Sequence, residues 1–297
     1  MMAHSQILPH PPEATDALLE VVHAQLAAGH FDPGDTALLA HMVEALADSR
    51  GMARLAIVEA FGQIGTPAVP LLIEGLAHHP NPVVRRSCGK ALAKTGDPRA
   101  VPTLIAALLY DEDNVARSSA AGALAKVGAA AVPDLLVVLA ADHPGSAKGH
   151  AAWALAFMGA EVADGLRAAY DSEAADVRTA VIGAIAGLDP ELAAPHHYAL
   201  LTTALADPAA PVRAEAAAAL GNLEYTPAVA SLIDRLTDPS PEVRRTVALA
   251  LMKIAHPAAL PALRAQLAQE EQPEVRPVLA LALAQIEKHL SAEPPCN

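Results

Sequence analysis

Thirteen histidines and two cysteines are the residues of this sequence whose chemistry could build a metal or catalytic site. Their spacing fits neither a metal site nor a catalytic site. The sequence contains no H-E-x-x-H, C-x-x-C or G-x-S-x-G motif, no phosphate loop and no dinucleotide fingerprint. Cys88 and Cys296 are too few for a disulfide framework. We therefore expect no metal site, assign no catalytic residue, and interpret Cys88 as a packing residue. The histidines of the turns, among them His79 and His143, are interpreted as solvated.

A cluster of another kind lies in the segment GHAAWALAFMG, residues 149–159. His150, Trp153 and Phe157 are three and four residues apart, so a helix would place them on one stripe. Trp153 is the single tryptophan of the chain. Exposed rings on one stripe would suit a planar ligand or a protein anchor, whereas buried rings would simply pack under a neighbouring element.

Composition narrows the classes of protein that could carry this cluster. Hydrophobic residues make up 53% of the chain but aromatic residues only 3%, which favours Ala-rich and Leu-rich helices over sheets. A formal charge of -13 excludes the electrostatic basis for nucleic-acid binding and for anionic membranes. Every run of 18 residues contains a charge, Pro or His, and Met1 to Thr15 is polar. We therefore expect no membrane span, no secretory signal and a cytoplasmic location.

A repeat explains how the helices are organised. A basic residue stands seven positions before a bulky apolar residue in eight segments, spaced 30 to 35 residues apart: Arg54/Phe61, Arg85/Leu92, Arg117/Leu124, Lys148/Leu155, Arg178/Ile185, Arg213/Leu220, Arg244/Leu251 and Arg276/Leu283. Each segment is typical of two helices. The first begins near a proline such as Pro70, and the second often ends at a glycine such as Gly96.

These patterns predict an all-α fold, a right-handed α-solenoid of about eight short HEAT-like helical pairs. Residues 1–34 would form an N-terminal segment with a capping helix, residues 35–289 the repeat solenoid, and residues 290–297 a disordered tail. The recurrent basic residue is predicted to be structural. Its stem would cover the core, and its head would reach carboxylates or carbonyls in the turns.

Aligning the second helices shows where one repeat departs from the others. Trp153 stands two positions before the recurrent apolar residue, where the neighbouring repeats have Gly122 and Gly183. The missing side chains predict a slot beside the ring, on the face that lines the concave surface of a solenoid. A basic stripe lies upstream in the same row of helices. The predicted site for a planar anionic ligand or an acidic partner comprises His150, Trp153, Phe157, Gly122, Gly183, Arg86, Lys90, Lys94 and Lys126.

The motifs VRR and ALAKTGDPRAVPTLIAAL, within residues 84–108, resemble the short HEAT-like repeat named after phycobilisome lyases, and this resemblance covers about residues 50–288. With GHAAWALAFMG in this background, the chain looks like the phycobilisome-associated HEAT family, which includes E/F-type bilin lyase subunits and the phycobilisome degradation protein NblB. The resemblance implies contact with a phycobiliprotein subunit or its linear tetrapyrrole, a bilin. No catalytic motif of the family matches positions here.

Three functions therefore stay open. The chain could be a non-catalytic or chaperone-like binding protein for a phycobiliprotein or its bilin. It could be a lyase subunit that attaches or removes the linear tetrapyrrole. It could also be a general protein–protein assembly scaffold without a link to pigments.

Overall fold

The computed structural model describes residues 11–159, 162, 166–187 and 194–292, and within these ranges it is helical with no strand. Close contacts group the chain into two compact units, residues 1–158 and 159–297. The single repeat domain expected over residues 35–289 stays a prediction. Residues 293–297 of the expected tail lie outside the described residues, whereas residues 290–292 continue the last helix.

The first unit is a series of helical pairs preceded by one helix, α1, over Pro12–Ala27. The first helices of the pairs are α2 (Thr36–Ala45), α4 (Val69–His78), α6 (Val101–Tyr110) and α8 (Val132–Ala140). The second helices are α3 (Gly51–Ile64), α5 (Pro82–Thr95), α7 (Asn114–Val127) and α9 (Gly145–Met158). The second helices pack side by side in sequence order, and each also packs on its own first helix. Helix α1 packs on α3 as the start of that row.

The second unit repeats this arrangement. A 3-10 helix over Arg167–Asp171 packs on α10 (Ala175–Ala186). The pairs that follow are α11 (Pro195–Ala204) with α12 (Ala210–Asn222), α13 (Val229–Asp234) with α14 (Pro241–Ile254), and α15 (Ala259–Gln269) with α16 (Arg276–Ala292). Helices α10, α12, α14 and α16 again form a row of adjacent second helices.

Local sequence explains where these helices begin and end. Pro70, Pro102 and Pro133 occupy the first turns of α4, α6 and α8, where a missing backbone N–H costs nothing. Gly96 ends α5 with φ +60°, a left-handed conformation that glycine adopts without strain. Ala255 ends α14 with φ +54°, the same conformation in a residue that has a Cβ.

The recurrent apolar residue of each pair lies in the core, which confirms the register of the repeat. Exposure is between 0% and 1% at Phe61, Leu92, Leu124, Leu155, Ile185, Leu220 and Leu251, and 8% at Leu283. The second helices that carry these residues pack on one another within each unit, so burial is shared between successive pairs of a unit.

One helical run, Asn114–Ala140, is long and apolar enough to cross a membrane by length and composition. The sequence did not lead us to expect such a run. It consists of α7, a 3-10 turn at Gly128–Ala131 and α8, and 44% of its most apolar window is buried inside the protein. Helix α7 packs between α5 and α9 and α8 packs on α9, so repeat packing accounts for the apolar composition.

Within the described residues, four of the recurrent arginines join their pair to the next through a two-pronged ion pair. Arg213 donates from Nε and Nη2 to the two carboxylate oxygens of Asp238, at 2.7 and 2.8 Å. Its Nη1 donates to the backbone carbonyl of Asp207, in the turn of its own pair. Asp207 in turn accepts the same two-pronged contact from Arg178. The turn acid therefore bonds two arginines, one through its side chain and one through its backbone, which confirms the structural role predicted for this residue.

Within the described residues, this arrangement recurs at Arg85–Asp111, Arg178–Asp207, Arg213–Asp238 and Arg244–Glu270. We call each of these contacts a rung. The turn acid also accepts the backbone N–H two residues further on, as Asp111 does from Asp113. A rung therefore holds the turn and the helix that follows it, and this is why the second helices stay in register.

Two turns carry a histidine where a rung needs a carboxylate. His143 stands 26 residues after Arg117, the spacing that separates Arg85 from Asp111. Arg117 Nε is buried without a hydrogen-bond partner among the described residues. His79 stands 25 residues after Arg54, as Asp238 does after Arg213, and its Nδ1 accepts the backbone N–H of Asn81. The expectation of a solvated histidine is wrong for His79, whose side chain is only 12% exposed.

At the start of the row of second helices, a local contact between Asp48 and Arg50 stands in place of a rung. Asp48 is fully buried and accepts hydrogen bonds from Arg50, which hold the pKa of its carboxyl well below its usual range. Arg50 also donates to Asp16 and to the carbonyl of Pro12 on α1. The first pair is thereby joined to α1 by the same guanidinium chemistry.

The last complete rung predicts an acid-dependent loss of stability. Hydrogen bonds from Arg244 lower the pKa of Glu270 from its ordinary 4.5 to about 2. Because the folded-state pKa lies below the unfolded value, the stabilisation is complete above pH 4.5 and is lost as the pH falls towards 2. We expect Glu270→Gln to destabilise the protein at pH 7 and to flatten this dependence. Urea titrations between pH 6 and pH 2.5 measure it, with exposed Glu271→Gln as the matched control. Equal pH dependence in the two variants would contradict the assignment.

The left-handed backbone conformation of Ala255 predicts that glycine at this position would stabilise the protein. Ala255→Gly should raise the free energy of unfolding by about 0.5 to 1 kcal/mol, since relief of the Cβ clash exceeds the added backbone entropy. Ala280→Gly, at an exposed position inside α16, should lower it by about 1 kcal/mol. Thermal and urea unfolding of both variants measure whether each substitution raises or lowers the free energy of unfolding. A destabilised Ala255→Gly protein would mean that this helix end is not left-handed.

Candidate functional site

Two aromatic rings of α9 lie half-exposed on the row of second helices. Trp153 is 49% exposed and Phe157 is 55% exposed, and their ring centroids are 5.3 Å apart with an angle of 27° between the planes. The sequence left open whether these rings are exposed or buried, and the structure places both at the surface. Large apolar side chains that stack on each other in solvent leave an apolar surface for a partner to cover.

A lysine of the neighbouring helix completes this cluster. Lys126 Nζ of α7 lies over the ring of Phe157, 5.2 Å from its centroid. This distance is within the range of a cation–π contact, so the ring electrons and the ammonium stabilise each other. We call Trp153, Phe157 and Lys126 the aromatic–basic face.

His150 lies one turn before Trp153 and connects α9 to α7. Its Nε2 is hydrogen-bonded to Ser118 Oγ at 3.2 Å. Its Nδ1 is buried without a hydrogen-bond partner among the described residues. His150 thus holds the first turns of the two helices together beside the face.

The remaining predicted cations lie on α5. Arg86, Lys90 and Lys94 are four residues apart and form one stripe along the helix. Lys94 Nζ pairs with Glu59 of α3 at 2.7 Å. Arg86 and Lys90 make no ion pair with a described residue, and Lys90 is exposed. The stripe therefore carries positive charge that the protein itself does not neutralise, although the chain as a whole is acidic.

The two glycines of the predicted slot differ. A Cβ built on Gly122 of α7 would meet no atom within 4 Å, so the space beside this helix is open. A Cβ on Gly183 would lie 3.2 Å from Glu215 Oε1. Gly183 is in the second unit, where this carboxylate fills the space that the sequence predicted to be empty. The site retained by the structure is therefore the part within the first unit.

Sequence reasoning missed Ser118 and Glu59. Ser118 faces His150 and Glu59 faces Lys94, and both would have emerged from pairing each predicted residue with the exposed positions of the neighbouring helix.

The free thiol offers no chemistry at this site. Cys88 is fully buried, and desolvation raises the pKa of its thiol, so the thiolate needed for nucleophilic attack is disfavoured. Its sulfur would lie 2.7 Å from a Cβ on Gly75 of α4. This close approach supports the packing role predicted for Cys88. Cys296 lies outside the described residues.

Comparison with known proteins identifies the class. HEAT repeats match residues 39–125, 103–186 and 198–284, and the chain belongs to this family. The all-helical HEAT-repeat solenoid predicted from the repeat is thereby confirmed. HEAT repeats typically mediate protein–protein binding.

Among solved structures, a mutant of Kap121p is 15% identical with a TM-score of 0.58, and it covers 96% of this chain and 38% of that one. Kap121p bound to Nup53p is 17% identical with a TM-score of 0.55, and it covers 94% of this chain and 38% of that one. These likenesses concern the fold.

A curated relative gives a more specific similarity. The bilin biosynthesis protein MpeU of Synechococcus sp. (strain WH8020) is 34% identical over 83 residues. The matched segment covers 28% of this chain and 28% of that protein. The chain thus matches little more than a quarter of this relative's length, and the similarity to a bilin protein is distant and partial.

The geometry of the aromatic–basic face predicts how its tryptophan responds to quenchers. Iodide should quench Trp153 in the free protein, because the ring is half-exposed and Lys126 attracts anions to it. Lys126→Glu should reduce quenching by iodide but not by neutral acrylamide, since the charge lies within about one Debye length of the ring. Stern–Volmer titrations of both proteins measure this. A ring shielded from both quenchers would return Trp153 to the core.

Proposed function

We propose that this HEAT-repeat protein binds a phycobiliprotein or its bilin through the aromatic–basic face, as a non-catalytic or chaperone-like binding protein. The observation that carries the proposal is the half-exposed stack of Trp153 and Phe157 with Lys126 over it. Exposed rings near uncompensated cations are a surface that an apolar and acidic partner would cover.

The physical argument for binding is the unfavourable free energy of exposing two aromatic rings to water. Burial of a Trp and a Phe by a partner removes apolar area from water, and aromatic residues are the commonest anchors of interfaces. The rings do not serve the core, because Leu155 of the same helix is fully buried and fills the core position of the repeat. Their exposure on the second-helix row supports a role in recognition.

The argument for a pigment-related partner rests on the distant relative and on ligand chemistry. A bilin is a planar conjugated molecule that carries carboxylates, so its rings could stack on Trp153 while a carboxylate pairs with Lys126. The partial similarity to a bilin biosynthesis protein supports this class of ligand. A phycobiliprotein subunit would present the same chemistry from a protein surface.

A lyase subunit is the second candidate, and the partial similarity to a bilin biosynthesis protein is the observation that favours it. His150 is the titratable side chain nearest in sequence to the rings, and its Nε2 is hydrogen-bonded to Ser118 while its Nδ1 is buried. Incubation with bilin and an apo-phycobiliprotein separates the two functions. Covalent transfer of the pigment would support the lyase, and reversible colour without transfer would support the binding protein.

Two substitutions test the face. Trp153→Ala should weaken binding of a phycobiliprotein or bilin by about 2 kcal/mol, roughly 30-fold, because it removes an aromatic anchor. It should leave the unfolding midpoint nearly unchanged, since the ring is half-exposed. Gly122→Leu should fill the open space and block binding while it keeps the ring, and a helix interior favours leucine over glycine.

Tyr110→Ala is the matched control, because Tyr110 is an aromatic residue of the same unit that is 72% exposed on α6. Titration calorimetry and absorbance after coexpression with a bilin pathway measure binding. Unchanged binding in Trp153→Ala, or equal losses in Trp153→Ala and Tyr110→Ala, would contradict the proposed site. Binding of proteins unrelated to pigments, with no binding of phycobiliprotein or bilin, would favour a general scaffold.

A further inference from the structure

The second helices α5, α7 and α9 lie side by side, with α7 in the middle. Each exposes a stripe of different chemistry at equivalent positions of the repeat. On α5 the stripe is Arg86, Lys90 and Lys94, and on α9 the equivalent positions hold Gly149, Trp153 and Phe157, with His150 next to Gly149. On α7 the equivalent positions hold Ser118, Gly122 and Lys126. The first two of these are small, so α7 forms the floor of a groove between a cationic wall and an aromatic wall.

The floor is open over its middle, and a contact to the aromatic wall lies towards each end. No atom lies within 4 Å of the position that a Cβ on Gly122 would occupy. Towards the C-terminal end of α7, Lys126 reaches across to the ring of Phe157 and links the floor to the aromatic wall. Towards the other end, Ser118 is hydrogen-bonded to His150. The groove therefore runs along α7 with its widest part beside Gly122.

Two of the three cations of the wall make no ion pair with any residue that the structure describes. Lys94 pairs with Glu59, which leaves Arg86 and Lys90 without an ion pair to any described residue. Arg86, Lys90 and Lys94 follow one another every four residues, which is about 6 Å along the helix. A guest helix that lies parallel to this wall presents carboxylates at the same spacing when they stand at its positions i, i+4 and i+8.

The dimensions of the groove suit such a helix. Adjacent packed helices are about 8–10 Å apart, so the axes of the two walls are about 16–20 Å apart. A helix with its side chains is about 10–12 Å wide. Helix α7 has 14 residues, and a helix of that length is about 21 Å long, so a guest of about three to four turns covers the floor.

We propose that the groove along α7 binds an acidic amphipathic helix of a partner protein. The carboxylates of this helix face Arg86 and Lys90, and its apolar stripe covers Trp153 and Phe157. The inference rests on the proposed function because it uses the same aromatic–basic face, and it specifies the part of the partner that is recognised. It follows the helix-in-groove mode, in which apolar anchors give affinity and charges set orientation.

The test uses the full chain and a synthetic amphipathic peptide of about 14 residues, with Glu at i, i+4 and i+8 on one edge and Leu on the opposite edge. The control peptide has the same composition in a permuted order that breaks both stripes. Trp153 reports binding by its fluorescence, because it is the single tryptophan of the chain. We expect saturable, salt-sensitive binding of the patterned peptide and at least about tenfold weaker binding of the permuted one.

Charge reversal tests the orientation. Lys90→Glu should weaken binding of the patterned peptide by about tenfold or more, and a peptide with Lys in place of the central Glu should restore it. Lys288→Glu is the matched control, because it changes the net charge equally at an exposed position of the second unit. Equal binding of both peptides, or equal losses in Lys90→Glu and Lys288→Glu, would overturn the inference.

The outcomes also separate this inference from the proposed function. If neither peptide binds but phycobiliprotein or bilin binds in a Trp153-dependent manner, the acidic-helix inference fails and the proposed function stands. If the patterned peptide binds with the expected charge dependence but neither phycobiliprotein nor bilin binds, the inference stands and the pigment-related function fails.

Discussion

The two-pronged contact between a guanidinium and a turn carboxylate is the interaction on which the rest of this structure depends. A partly buried arginine needs partners for its donors, and Arg213 satisfies them with one carboxylate and the carbonyls of its own turn. Because the carboxylate belongs to the next pair, the contact fixes the step from one pair to the next. The alignment of equivalent positions on successive second helices follows from this step, and so does the placement of the exposed side chains.

The first unit departs from this scheme at two joints, that between α3 and α5, where His79 replaces the carboxylate, and that between α7 and α9. At the joint between α7 and α9, His143 replaces the carboxylate, and Arg117 turns a guanidinium nitrogen to Asn114 instead. The same two helices carry the open floor at Gly122 and the exposed rings of α9. This second irregular joint and the aromatic–basic face thus coincide, which is the expected pattern when recognition is placed where local structural rules are broken.

Much of the fold could be predicted because each rule it uses is local or periodic. The spacing of Arg85 and Leu92, the prolines at helix starts and the glycines at helix ends all act within one repeat. The exposure of Trp153 and Phe157 stayed open, because the column of Phe157 is polar or Gly in every other repeat but the column of Trp153 includes Leu249 and Leu281.

The errors came from contacts between repeats. Gly183 looked like an empty position, but Glu215 of the next second helix lies three positions away from the aligned column and fills it. His79 looked solvated because it stands in a turn, but it occupies the place of the rung carboxylate and is buried by the helices that meet there. Neither contact can be predicted from the sequence of one repeat alone, because each depends on how one helix packs against its neighbour.

The joint between α7 and α9, which lacks a rung, also affects the cooperativity of folding. In an array stabilised by nearest-neighbour terms, an interface that lacks one strong contact is the place where sub-global opening begins. The α8–α9 pair would exchange its amide hydrogens sooner than α4 to α7, whose joint keeps the Arg85–Asp111 contact. An occupant that spans α5, α7 and α9 touches both sides of this joint. By mass action it would therefore raise the folding cooperativity of the first unit as it binds.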